Sequence, residues 1–132
     1  MADTNLDADI AITLVVSATN DHISYARLQT VAVAGKIGFD FDAIEDLRIA
    51  VSDLCGTVIA CAAPDSELRL DIRADASGLT VTGRVPLAEG AQLEPDELSS
   101  QVLAVVTDSY EYTVADDVVS FRMTRATRSG DA

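Results

Sequence analysis

The chain has no tryptophan, and aromatic residues make up only 5% of it. An aromatic core is thereby excluded, and Val, Ile, Leu and Ala must fill the interior. Cations are scarce: nine Lys and Arg stand against 22 Asp and Glu, a formal charge of −13. A surface this acidic repels phosphate backbones and anionic head groups, which argues against binding to nucleic acid or membrane. It suits a basic partner, or it serves solubility alone. The single histidine, His22, has no serine or cysteine arranged with it in sequence and makes a poor metal site alone, so it reads as a surface residue. Cys55 and Cys61, six positions apart on one expected helix, fall on different faces at about 100° per residue. Neither a disulfide nor a shared metal site follows, and both read as buried small hydrophobes. The phosphate-loop pattern G-x-x-x-x-G-K-[ST] and the dinucleotide pattern G-x-G-x-x-G are missing. The opening "MADTNLDADI" is acidic where a secretory signal needs a positive region, and no apolar run approaches a membrane span. A cytoplasmic location is the expectation.

The 132 residues, 48% of them hydrophobic, suffice for a single domain over residues 1–132 with a two-layer core. "DIAITLVVSA" (9–18) predicts a first strand. "TND" (19–21) supplies N-cap candidates for a helix through "HISYARLQTVAVAGKIG", closed by Gly38. A second helix is expected over 42–62, capped by Asp42 with Glu45 completing a capping box, and ended by Pro64 and Asp65. Its Ile44, Leu47, Val51, Leu54 and Val58 form an apolar stripe. Residues 66–75 and 78–87 alternate as two strands joined by a hairpin at "ADASG". Residues 88–100 are the most loop-like, although Pro95-Asp96-Glu97 can open a helix through "LSSQVLAVVTD". "YEYTV" (110–114) and "VVSFRMTR" (118–125) close the chain as a hairpin around "ADD", before a polar tail. The order β-α-α-β-β-α-β-β predicts a two-layer α/β sandwich, with a mixed, mostly antiparallel sheet covered by helices on one face.

The helix at 42–62 carries the one polar constellation of interest. Asp46, Asp53 and Thr57 project within roughly 40° of each other, beside Ala50 and Cys61. Such a face lines a ligand cleft, or it is the solvent side of a half-buried helix.

The stretch "FDAIEDLRIAVSDLCGTVIACAAPDSELRLDI" resembles anti-sigma factors of the RsbW and SpoIIAB type, members of the histidine-kinase-like (GHKL, Bergerat-fold) ATPase superfamily. The resemblance is nearest to the actinobacterial and mycobacterial anti-sigma-F branch and covers residues 9–126. It implies the Bergerat fold, a sigma factor of the F/B type as partner, and homodimers paired through the sheet edge. In many members it also implies ATP and Mg²⁺ used to phosphorylate a serine on a STAS-domain antagonist.

The motifs of the resemblance are altered in this chain. Its general-base position falls on Asp53, where glutamate is usual, and its Mg²⁺-holding asparagine on Thr57. A threonine hydroxyl lacks the amide's carbonyl and reach. The aspartate that should meet adenine falls on Gly83, with Val85 and Leu87 at the glycine positions. The glycine-rich lid is replaced by "PDELSSQVL", which brings Asp96 and Glu97 toward any triphosphate. Asp53 is therefore expected to be a vestigial base, with ATP use impaired or absent and no cofactor; ATP and Mg²⁺ enter if the chain is an active protein-serine kinase. The arginine that meets the sigma factor in the family falls on Arg27, which reads equally as an ordinary helix-surface cation. A regulator of some other partner remains a third reading.

Overall fold

A computed structural model of the chain describes residues 9–127, and the acidic opening stretch and polar tail lie outside them. The elements are β1 (Ile10–Ser17), α1 (Ile23–Lys36), α2 (Phe41–Ile59), β2 (Glu67–Asp75), β3 (Gly78–Pro86), α3 (Glu97–Val106), β4 (Ser109–Ala115) and β5 (Val118–Ala126). The expected order is found, with the helix opened at Pro95-Asp96-Glu97 taking the place of a plain loop.

The five strands form one sheet in the order β1-β2-β3-β5-β4. Every pairing is antiparallel, the mostly antiparallel sheet of the expectation carried to its limit. The connections explain this. Two helices between β1 and β2 reverse the chain twice, so β2 returns beside β1 in the opposite sense. After β3, α3 delivers β4 to the outer edge, and the hairpin folds β5 back between β4 and β3.

Alternation in each strand turns one face inward. Leu68, Leu70 and Ile72 of β2, Val81 and Val85 of β3, and Val119, Phe121 and Met123 of β5 are all buried. Helix α2 lies over β3 and β5, with α1 on the β2 side and α3 on the β4 side. The stripe on α2 behaves as the pattern requires: Leu47, Val51, Leu54 and Val58 are fully buried, and Ile44 partly so. Each such side chain contributes about 1.5–3 kcal/mol relative to exposure.

Helix α1 ends in a Schellman motif. Gly38 takes a φ of 97°, its N–H reaching Gly35 O at 3.3 Å while Phe39 N reaches Ala34 O at 3.1 Å. The cap of α2 differs from the expectation. Asp40, extended at φ −80° and ψ 176°, caps the helix by accepting from Ala43 N, so Asp42 falls in the first turn. Both aspartates are chemically fit; the turn at Gly38 sets the chain so that the helix begins at Phe41, leaving Asp42 inside it and able only to favour the helix dipole. The expected capping-box glutamate, Glu45, instead pairs with Arg48 at 3.7 Å. The "TND" expectation is also corrected. Residues Asn20–His22 form a 3-10 turn, and neither Thr19 nor His22 caps a helix through its side chain. Thr19 Oγ1 bonds His22 Nδ1 at 2.9 Å, which removes it from capping.

Candidate functional site

Helix α2 places Asp53 and Thr57 one turn apart, facing α3 across a hollow of about 560 Å³. Asp96 caps α3 through Leu98 N at 3.3 Å, and this fixes the first turn so that Ser99 points at α2. The Ser99 hydroxyl donates to Asp53 Oδ1. Thr57 Oγ1 donates to the Asp53 carbonyl at 3.0 Å, the back-bond a helical threonine makes to its own turn. Both groups of the base-and-metal pair are thus engaged within the protein.

Beneath them, β4 carries Tyr112 inward. Its hydroxyl is buried and has no hydrogen-bond partner among the described residues. Burial pushes this phenol up; the Thr57 hydroxyl opposes the rise and the Asp53 carboxylate adds to it. Thr57, committed to the Asp53 carbonyl, stands near enough to influence Tyr112 without satisfying it. Cys61 lines the same hollow while its thiol is buried, and burial raises it. Cys55, on the covered side of α2, is pushed up to about 12 by burial, with Arg27 acting weakly in the other sense. Both cysteines are the inert, buried small residues expected from sequence.

The lining of the hollow decides what it accepts. Among the described residues, Asp53, Glu94 and Asp96 contribute three carboxylates to it, and no lysine or arginine does. A triphosphate there meets only like charge. The position assigned to the adenine acid is closed in another way. Gly83 is buried in β3 opposite Phe121 of β5. A Cβ on Gly83 would stand 2.6 Å from Phe121 Cζ, so the phenyl ring occupies the room an aspartate would need. The hollow thus offers a triphosphate no side-chain cation among the described residues, and the Gly83 position offers adenine no acid.

The remaining sequence candidates scatter. Asp46 shares the helical-wheel sector of Asp53 but turns to Arg125 of β5, at 2.9 Å. Arg125, 7% exposed, also donates to Val106 O at 2.7 Å, so this ion pair ties β5 to α2 and α3. Glu97 lies exposed on the first turn of α3, outside the lining of the hollow, whereas Asp96 lies in it. His22 stacks on Tyr25 with ring centroids 5.5 Å apart and joins no site. Arg27, half-buried on α1, donates to Ser52 Oγ at 3.1 Å across to α2. With Ile49, 46% exposed, it lines a shallow depression of about 520 Å³. Tyr25 and Leu28 stand exposed three residues apart on the same helix.

Ser99 and Tyr112 were not singled out from sequence. Ser99 sat in the segment that reads most like a loop, and only the cap at Asp96 signals its placement. Tyr112 lies in the expected strand "YEYTV", which carries no sign of what its side chain meets.

A five-stranded antiparallel sheet with helices on one face, and a hollow between the long helix and the last one, is the arrangement of the histidine-kinase-like ATPase fold. The chain is RsbW-like in sequence and in fold. It is 29% identical over 101 residues to a Mycobacterium tuberculosis protein named Anti-sigma-F factor RsbW, matching 76% of this chain and 60% of that protein. It is 45% identical over 42 residues to a Listeria monocytogenes protein named Serine-protein kinase RsbW, matching 32% of this chain and 27% of that one. A crystal structure of the RsbU and RsbW domains of a Mycobacterium tuberculosis protein superposes with a TM-score of 0.67 at 14% identity, over 90% of this chain and 33% of that one. The chain thus spans less than two thirds of the length of these relatives. No family model matches the chain. Among the described residues no helix is long and apolar enough to cross a membrane.

Proposed function

We propose that this chain is a cytoplasmic anti-sigma factor that binds a sigma factor of the F/B type and withholds it from RNA polymerase by occupancy, without using ATP. The observation that carries the reading is the match to the protein named Anti-sigma-F factor RsbW over 76% of the chain. Arg27 supports it: the bond to Ser52 holds the guanidinium at the rim of a shallow, mostly charged depression beside the exposed Ile49, an accessible cation suited to the polar rim of a protein contact. The charge of −13 favours encounter with the basic surface of a DNA-binding partner. Independence from ATP is supported by Ser99 on Asp53 and by Phe121 over Gly83.

Homodimers are part of the proposal, and β1 is the edge best suited to pair. Among the described residues its outer side has no neighbour in the sheet, and "IAITLVVS" carries no charge to discourage pairing, whereas the other edge strand, β4, carries Glu111.

The test mixes the purified chain with its F/B-type sigma factor at micromolar concentration and follows complex formation by gel filtration. A co-eluting complex, lost or weakened by Arg27→Glu, is the expected result; no complex ends the proposal, and unchanged affinity removes Arg27 from the interface. A second reading, an active serine kinase acting on a STAS-domain antagonist, draws on the relative named Serine-protein kinase RsbW. It requires transfer of radiolabelled phosphate from Mg²⁺-ATP to such a partner, abolished by Asp53→Asn.

A further inference from the structure

The face of the sheet turned away from the helices has a charge character unlike the rest of the chain. Four of the nine cations, Arg69, Arg73, Arg84 and Arg122, stand on it, at alternate strand positions exposed to solvent. Arg69, Arg73 and Arg122 line a hollow of about 490 Å³ whose floor includes Thr80 and Thr82 of β3, and Arg84 stands outside its lining. Among the described residues one carboxylate, Asp71, enters the hollow, and it is already engaged: Thr13 Oγ1 donates to it at 2.6 Å and Arg69 Nε at 3.3 Å. Arg84 stands 3.9 Å from the same carboxylate. Three further acids, Glu67, Asp75 and Glu111, belong to this face but lie outside the hollow.

Arg73 and Arg122 enter no ion pair among the described residues. The register places them on either side of β3: Arg73 opposite Thr80, and Arg122 opposite Thr82. Two strand spacings across the sheet and two residues along it separate them, about 12 Å. Carboxylates two to four residues apart on an extended chain are about 7–13 Å apart, which matches that separation.

We infer that the open face of the sheet docks an acidic, extended segment of a partner protein, with Arg73 and Arg122 taking its carboxylates. The partner is not a second copy stacked sheet on sheet, since the arginines of the two copies would then oppose one another. Nucleic acid suits it less. A polyanion that runs past the hollow enters the field of the surrounding acidic surface, whereas a short segment ends within about one Debye length, ~8 Å at physiological salt. The surface is independent of Arg27 and of the hollow between α2 and α3.

The test is fluorescence anisotropy of the full chain with a labelled nine-residue peptide that alternates Glu with Thr. The Gln-for-Glu peptide and a single-stranded DNA oligonucleotide are the comparators. Saturable binding of the Glu peptide, weakened by salt and reduced about tenfold or more in R73Q/R122Q, is expected. Because both side chains are exposed, that variant should keep the circular dichroism and melting temperature of the parent, and R73K/R122K should retain much of the binding. No saturable binding, binding undiminished in R73Q/R122Q, equal binding of the Gln peptide, or tighter binding of the DNA each overturns the inference. So does self-association of the peptide-free chain that disappears in the double variant.

Discussion

Ser99 of α3 donates its hydroxyl to the Asp53 carboxylate of α2, so the residue at the general-base position is held by its own protein. A hydrogen bond to a charged acceptor in a half-buried site contributes about 1–2 kcal/mol. Ser99→Ala should therefore lower the unfolding free energy by about that amount in urea denaturation. Asp53→Ala and the double variant should cost nearly the same as Ser99→Ala alone, because the two side chains serve one interaction. Full additivity would show that they do not.

The second prediction concerns Gly83. Gly83→Asp restores the acid that the ATPase resemblance implies, yet it drives a Cβ into the Phe121 ring and buries a carboxylate in the core. The variant should lose about 2–4 kcal/mol of stability and gain no nucleotide affinity. Gly83→Ala should lose less, about 1–3 kcal/mol, from overpacking alone. A stable Gly83→Asp protein would contradict this packing.

Asp71 provides a pH-dependent case. The Thr13 hydroxyl, and secondarily Arg69 and Arg84, hold its carboxyl below the ordinary value of 3.8. A depressed folded value adds stability that is present above that ordinary value and lost as pH falls through the folded one. Thr13→Val should thus cost about 0.5–1.5 kcal/mol at neutral pH, and that cost should vanish at acid pH once Asp71 is protonated in both states. Melting curves of the two proteins across the acid range check this.

The turn between β4 and β5 gives the fourth. Asp116 and Asp117 take φ of 55° and 62°, both in the left-handed region. This is the two-residue hairpin turn for which Asn-Gly is favoured. D116N/D117G should raise stability by about 0.5–1 kcal/mol, since it suits the turn and separates no useful charge pair. Denaturant titration reads the change directly.

Much of the fold was legible because its signals are local. Alternation in "ELRLDIRAD" and "VVSFRMTRA", the stripe on α2, and Gly38 as a helix stop each follow from a few neighbouring residues. What failed depends on distant ones. Asp40 and Asp42 are equally good caps by chemistry, and only the path out of the Gly38 turn chooses between them. The helical wheel groups Asp46 with Asp53, but the wheel holds no record of Arg125, which draws Asp46 away. The candidate site was half legible. Asp53 and Thr57 were found on their helix, whereas Ser99 comes from a segment whose helix rests on one cap, and Phe121 over Gly83 is a cross-strand relation that no single stretch contains.

Whether the proposed partner binds without nucleotide is decided by a calorimetric titration of the F/B-type sigma factor into the chain, with and without millimolar Mg²⁺-ATP. The same affinity is expected in both, with no heat when ATP alone is titrated. A complex that forms only with ATP, or tightens about tenfold or more when ATP is added, would contradict the proposal.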